Sequence, residues 1–318
     1  MKIGFPAVTL LALSVLLSPQ TSRAEDSPGF WRSFVNFFLP HPEQRKILLK
    51  KETQYYQVTV EEDSAGARHL VFNPMKGSQG IWNPATPDEI ISNYCKYTTL
   101  FFTFIKTPPK RVLFIGLGVG MVPRFVRNYF PNTVIDIVEI DKDIPEIAAK
   151  YFGYIKDDRT NIIIKDGRDF INRTKKKYDI IFIDAYNAKA IPFQLTTREF
   201  YLKVKNALAQ NGIATINIAN LGREKFIASE LKTIESVFPH VAVYVCPHKS
   251  NYVPFASVDM PLDSQNYTER AEEVDKILHL SYKMQDMLET RMPEKDLRRM
   301  TGNAVLLTDD YAPVETMQ

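Results

Sequence analysis

RVLFIGLGVGMVPRFVRNYFPNTVIDIVEID, residues 111–141, sets two apolar, β-branched runs on either side of a glycine loop and a helical stretch. The first run predicts a strand that opens into Gly116-Leu117-Gly118-Val119-Gly120, and a helix is expected near 121–130. The second run predicts another strand, closing on Val138-Glu139-Ile140-Asp141. Strand, glycine turn, helix and strand make one βαβ unit, whose strands run parallel and are buried on both faces. Glycines at such a turn let a ligand approach the main chain closely and leave amide groups at a helix N-terminus for its polar atoms. An acid about 20 residues beyond the loop is placed to accept hydrogen bonds from a ribose diol.

The alternation continues downstream. Further strands are expected in NIIIKD, YDIIFIDA, GIATINIAN and HVAVYVC, with helices near 143–152, 167–174, 197–209 and 223–237. Strands taking turns with helices predict an α/β protein with a Rossmann-like, class I methyltransferase-type sheet over residues 86–260. The third strand runs into Lys165-Asp166-Gly167-Arg168, an acid placed to meet an adenine amino group. The fourth puts Asp184 at the carboxyl end of a very apolar strand, where a charge needs a partner or a task. The glycines Gly116, Gly118 and Gly120, the acids Glu139 and Asp141, and the Asp166-Gly167 pair thus point at one nucleoside, with Asp184 beside it.

Around this core lie less informative segments. The opening MKIGFPAVTLLALSVLLSPQTSRAED has a basic start, an apolar run and small residues at Ser22 and Ala24, so residues 1–24 read as a signal peptide cut after Ala24. The alternative is an uncleaved anchor, the chain's one route to a membrane; either way an exported, periplasmic or secreted location is expected. Residues 25–85 hold the aromatic stretch FWRSFVNFFLP, expected to pack on the domain. A small β-hairpin region built from YYQVTV and HLVF follows between 52 and 82. A helix is expected near 87–105, before the breaker TPPK. Residues 261–318 read as a helical, charged tail folded back on the core.

Composition narrows the function classes. Of 318 residues, 45% are hydrophobic and 24% charged, which suits a globular chain. The net charge of +3 offers no broad basic field, so nucleic acid is not an expected partner. Five histidines without ligand spacing, and the lack of CxxC or HExxH, predict no metal site. Cys95 and Cys246 fall in a helical and a core-strand segment and are expected to be buried free thiols.

From about 52 to 258 the residues resemble the spermidine synthase (polyamine aminopropyltransferase) family, in particular its divergent bacterial spermidine-synthase-like members. Tyr56-Gln57 is similar to a YQ pair on that family's N-terminal strand, Gln79 to the glutamine after its second strand, and Tyr94 stands at the family spacing before the glycine loop. IPFQLTTREFYLKVKNALAQNGIA, the run from Ser236 to Tyr252, and LTDDYAPVE carry the likeness further. The resemblance implies that Gln57, Gln79, Glu139, Asp141, Asp166 and Gly167 hold the nucleoside of decarboxylated S-adenosylmethionine. That compound is implied as co-substrate, with no tightly bound cofactor. It also implies Asp184 as the catalytic carboxylate, Tyr94, Asn187 and Tyr252 near a small-molecule amine substrate, and a homodimer formed through N-terminal strands.

The chain departs from the family in two places within the site. Val119 stands where the family has an aspartate that pairs with the ammonium of the aminopropyl arm. Asp184-Ala185-Tyr186-Asn187 lacks the second aspartate that normally follows the first. Both losses disfavour a small dication, which is costly to desolvate without acids nearby. Valine would not repel the carboxylate of intact S-adenosylmethionine, so a methyltransferase is an alternative. An exported binding protein that has lost the chemistry is another. Asp309 and Asp310 are expected either to fold over the pocket as replacement charges or to form a helix cap or an exposed turn.

Overall fold

The computed structural model describes residues 45–73, 77–186, 191–262, 267–314 and 317. The expected signal peptide, the aromatic stretch as far as residue 44, and Asn187 lie outside the described residues.

The expected hairpin of YYQVTV and HLVF is present and is extended by a strand on each side to four antiparallel strands. These are β1 (Lys46–Glu52), β2 (Gln57–Glu62), β3 (Arg68–Asn73) and β4 (Gly80–Trp82), in the order β1-β2-β3-β4. Lysines at both ends of KILLKKE hide the period of β1, of which only Leu48, Leu49 and Lys51 are partly buried. The β2–β3 turn is closed by Asp63, whose Oδ1 accepts the Ala65 and Ala67 amides at 3.0 and 2.9 Å. The expected helix near 87–105 is two short ones, α1 (Asn93–Thr98) and α2 (Phe101–Phe104).

The larger sheet holds β5 (Arg111–Ile115), β6 (Val134–Glu139), β7 (Thr160–Ile164), β8 (Tyr178–Ile183) and β9 (Leu208–Ile216), all parallel, in the order β7-β6-β5-β8-β9. Chain order reverses between β5 and β8, so their carboxyl ends flank the switch-point crevice where open α/β sheets bind ligands. Beyond β9 come β12 (Asn251–Ser257), antiparallel to β9, then β11 (His240–Val245), with the short β10 (Ile218–Ala219) also on β12. Pro254 in β12 argues against a central strand when read from sequence. It is tolerated because β12 meets β9 only at residues 255–257 and β10 at 251–252, leaving a gap beside the proline.

Helices α3 (Met121–Tyr129), α4 (Ile144–Phe152), α5 (Gly167–Arg173), α6 (Arg198–Ala207) and α7 (Glu224–Glu235) connect the strands; α8 (Thr268–Leu278), α9 (Met284–Leu288) and α10 (Glu294–Thr301) make the tail. Successive strand residues enter opposite cores, as the continuous apolar runs require. Val112, Phe114, Ile180 and Phe182 pack with Phe102, Phe125 and Tyr244, while Leu113, Ile115, Ile181 and Ile183 pack with Phe200, Tyr201 and Leu231. Cys95 and Cys246 are buried and free.

One carboxyl lies in this second core. Glu230 is fully buried, its Oε1 accepts the Tyr201 hydroxyl at 2.8 Å, and its Oε2 has no partner. Burial pushes it up to about 8, so it is largely protonated at neutral pH. An acid raised in the folded state contributes its full stability below the unfolded value of 4.5 and loses it as pH rises through about 8. Denaturant melts should therefore weaken over that window, and Glu230→Gln should flatten the decline. A profile unchanged by the substitution would contradict the assignment.

Candidate active site

The site begins where β5 and β8 end. Gly116 has φ +101°, and a Cβ on it would lie 2.1 Å from the Asp184 carbonyl oxygen, so only glycine fits this approach. Its amide donates to the Val138 carbonyl at 2.8 Å, and the Asp184 amide donates to the Ile115 carbonyl at 2.9 Å. Three strand tips are thus tied in register. Gly167 serves the same closeness at the tip of β7, since a Cβ there would be 2.5 Å from Ile115 Cγ2.

Glu139 braces the glycine loop. Its Oε2 accepts the Leu117 amide and its Oε1 the Asp141 amide, each at 3.0 Å. It is buried, which pushes its carboxyl up to about 6 against the pull of these amides. Asp166 caps α5 by accepting the Asp169 amide at 2.9 Å.

Asp184 is held by Asn217, whose Nδ2 donates to its Oδ1 at 2.9 Å, while the nearby Tyr94 hydroxyl donates to the Gln79 carbonyl at 3.2 Å. Asp184 keeps some accessible surface yet sits deep, so burial pushes it up to about 6 in spite of the Asn217 amide. Such a carboxyl is ionised at neutral pH and can still accept a proton there.

These groups face one cavity of about 400 Å³. Gln79, Gly116, Gly118, Glu139, Asp166, Gly167 and Asp184 line it together. Tyr56, stacked on Phe72 at 4.2 Å between ring centres, reaches over it and donates from its hydroxyl to the Tyr186 carbonyl at 2.8 Å. Tyr55 and Phe193, 42% and 52% exposed, stand at the rim.

Other expected site residues stand outside the wall. The Gln57 amide turns away and donates to Glu52. Asp141 is fully buried beneath Glu139, its Oδ1 accepting the Asp143 amide at 2.9 Å and its Oδ2 unpartnered. Gly120 starts α3 against the Tyr154 ring. Tyr94 stands behind Asp184, and Tyr252 is packed in the second core. Val119 is buried against Gly80, so at this loop position no side-chain charge faces the cavity. Of the placements expected for Asp309, the turn is found, at Thr308–Tyr311: Arg168 and the Thr197 hydroxyl hold Asp309 as a tether for the tail, and among the described tail residues Val314 lies on the cavity wall. Asp310 is exposed.

Sequence reasoning missed Asn217 and Asn251 behind Asp184. The one signal available was a polar residue inside the apolar run TINIAN.

A doubly wound sheet with an acid-lined crevice at its switch point defines an enzyme of the methyltransferase-type fold. The spermine/spermidine synthase domain matches residues 94–256. A polyamine aminopropyltransferase of Vibrio vulnificus is 28% identical over 282 residues, covering 86% of this chain and 92% of that protein. The crystal structure of a probable spermidine synthase from Corynebacterium glutamicum superposes with a TM-score of 0.68 at 21% identity, over 86% of this chain and 99% of that one. Human methyltransferase-like protein 13 in complex with SAH superposes with a TM-score of 0.54 at 26% identity, over 60% and 95%. The chain belongs to the spermine/spermidine synthase domain family and is an enzyme of that kind.

Proposed function

We propose that the protein transfers the aminopropyl group of decarboxylated S-adenosylmethionine to an amine, with Asp184 as the proton-accepting carboxylate. The observation that carries this reading is the Asp184 carboxyl, held by the Asn217 amide on the wall it shares with Glu139, Asp166 and the glycine loop. The nucleoside lies along the first three tips, Glu139 toward the ribose and Asp166 toward the base. The amine nitrogen attacks the methylene beside the sulfonium, the new C–N bond forms as the C–S bond breaks, and neutral methylthioadenosine leaves. The nitrogen's surplus proton passes to Asp184. Holding the amine in line behind that carbon supplies much of the acceleration.

Methyl transfer from intact S-adenosylmethionine is the second reading, favoured by the buried Val119 and by the likeness to the SAH-bound methyltransferase fold. Incubation with each sulfonium and a panel of amines, followed by mass spectrometry, separates them. Methylthioadenosine supports the first reading and S-adenosylhomocysteine the second; neither product, with neither nucleoside bound, would leave a non-catalytic protein.

Asp184 must be ionised to accept a proton, so kcat/KM is expected to fall as pH drops through about 6. Glu139 titrates in the same range, and a limb steeper than one proton is expected where both count. A profile flat down to about pH 5 would exclude Asp184 as the base, since a carboxyl protonated there cannot act.

Export through the N-terminal signal belongs to the same proposal. Cleavage after Ala24 predicts a secreted form beginning at Glu25, which the intact mass of protein from the cell envelope or medium would reveal. A chain retaining Met1 in the cytoplasm would oppose it.

A further inference from the structure

We infer that Asn251 and Asn217 form a relay that positions the Asp184 carboxylate for the transfer proposed above. An asparagine amide is nearly symmetric in shape and can present either oxygen or nitrogen to a neighbour. Asn217 is buried, and its two ends meet different partners. Its Oδ1 accepts Asn251 Nδ2 at 2.8 Å, which leaves Nδ2 to donate to Asp184 Oδ1 at 2.9 Å. The donor on Asn251 therefore decides which face Asn217 turns to the carboxylate. Reversed, Asn217 would set oxygen against oxygen.

The backbone around both residues is arranged for this contact. Asn217 sits at the break between β9 and β10, opposite the gap beside Pro254. Its amide still donates to the Ile183 carbonyl at 3.0 Å, and its carbonyl accepts the Tyr186 hydroxyl at 2.7 Å, so the residue is fixed while its side chain leaves the ladder. Asn251 is delivered by the turn from Cys246, where His248 and Lys249 have φ of 56° and 52°. Consecutive left-handed residues that carry side chains are unfavourable and persist only where the surroundings hold them. Here Asn220 does so, its amide nitrogen donating to the Lys249 carbonyl at 3.0 Å and its backbone amide to the Ser250 carbonyl at 2.8 Å.

Asn251 does not line the cavity, so it acts through Asn217 as a positioning residue. A double-mutant cycle on the full chain tests this, using Asn217→Leu, Asn251→Leu and the pair, with Asn251→Ala as a smaller substitute should leucine disturb folding. The first readout needs no turnover: carboxyl-carbon NMR of aspartate-labelled protein, with Asp184 assigned as the signal lost in Asp184→Asn. Each single variant should move the Asp184 midpoint upward by at least about half a pH unit, because a hydrogen bond to the charged form is weakened. The double variant should move it no further than Asn217→Leu alone. The second readout is kinetic, with kcat reduced about 10-fold and the nucleoside KM unchanged, since only the base is misdirected. An Asp184 midpoint unmoved by Asn251→Leu and Asn251→Ala, or shifts that add in the double variant, would overturn the relay. The transfer reading fails separately, if the unmodified protein releases no methylthioadenosine while the NMR cycle holds.

Discussion

Asp184→Asn should lower methylthioadenosine release by about 10²–10⁴-fold, the range for loss of a positioned acid–base group. The same substitution should make the protein more stable at alkaline pH. Ionised Asp184 is held deep in the cavity, and its rise from 3.8 to about 6 measures how far the fold disfavours the charge. At about 1.4 kcal/mol per unit this amounts to about 2–3 kcal/mol, reduced by whatever solvent the residue retains. The sign follows from linkage. A raised acid contributes full stability below 3.8 and loses it as pH climbs through about 6, so the ionised form is the costly one. Asparagine keeps the shape and can still accept from Asn217, without the charge. Thermal melts at about pH 5 and pH 8 should show a gain for the variant that is larger at pH 8, as linkage requires. Nucleoside affinity should change little. Lost turnover with lost nucleoside binding would instead mark Asp184 as part of the nucleoside site.

Gly116→Ala should produce the largest loss of stability among single changes at the site. Its Cβ would lie 2.1 Å from the Asp184 carbonyl oxygen and 2.9 Å from the carbonyl carbon, both backbone atoms at the junction of two central strands. Nothing flexible can yield. The strands must part, breaking the bond from the Asp184 amide to Ile115, and the φ of +101° is itself poor for alanine. A loss above about 4 kcal/mol, or failure to fold, is expected, as for the most severe class of substitutions. Gly118→Ala is the control: its φ is +55° and no atom lies within 4 Å of the added carbon, so only about 1–2 kcal/mol of left-handed strain applies. Similar urea midpoints for the two variants would contradict the close approach of β5 and β8.

The parts of this fold legible in the sequence were those governed by local pattern. Apolar runs identified β5 to β9, from the largely buried β5 and β8 to the edge strand β7, whose Ile164 stays exposed. Glycine at 116 and acids at 139, 166 and 184 announced strand tips because such residues are unfavourable there without a reason. What escaped depends on partners distant in the chain. Lysines disguised β1, whose half-buried face is visible only beside β2. Pro254 disguised β12, which tolerates it only because of a break in the neighbouring strand. Asp141 read as a ligand acid by spacing, yet the turn after β6 carries it beneath Glu139. Asp309 read equally as a lid charge or a turn, and the contacts with Arg168 and Thr197 that decide it are ones no spacing rule could foresee. Asn217 and Asn251 are 34 residues apart and meet only because β9 and β12 become neighbours.

The account stands on one cavity that joins four strand tips. The most direct test is a crystal structure of the protein with methylthioadenosine. The account predicts the ribose hydroxyls on Glu139, the base beside Asp166 and Gly167, and the sulfur directed toward Asp184. A nucleoside bound elsewhere on the molecule, or one in this crevice with its sulfur pointing away from Asp184, would contradict it.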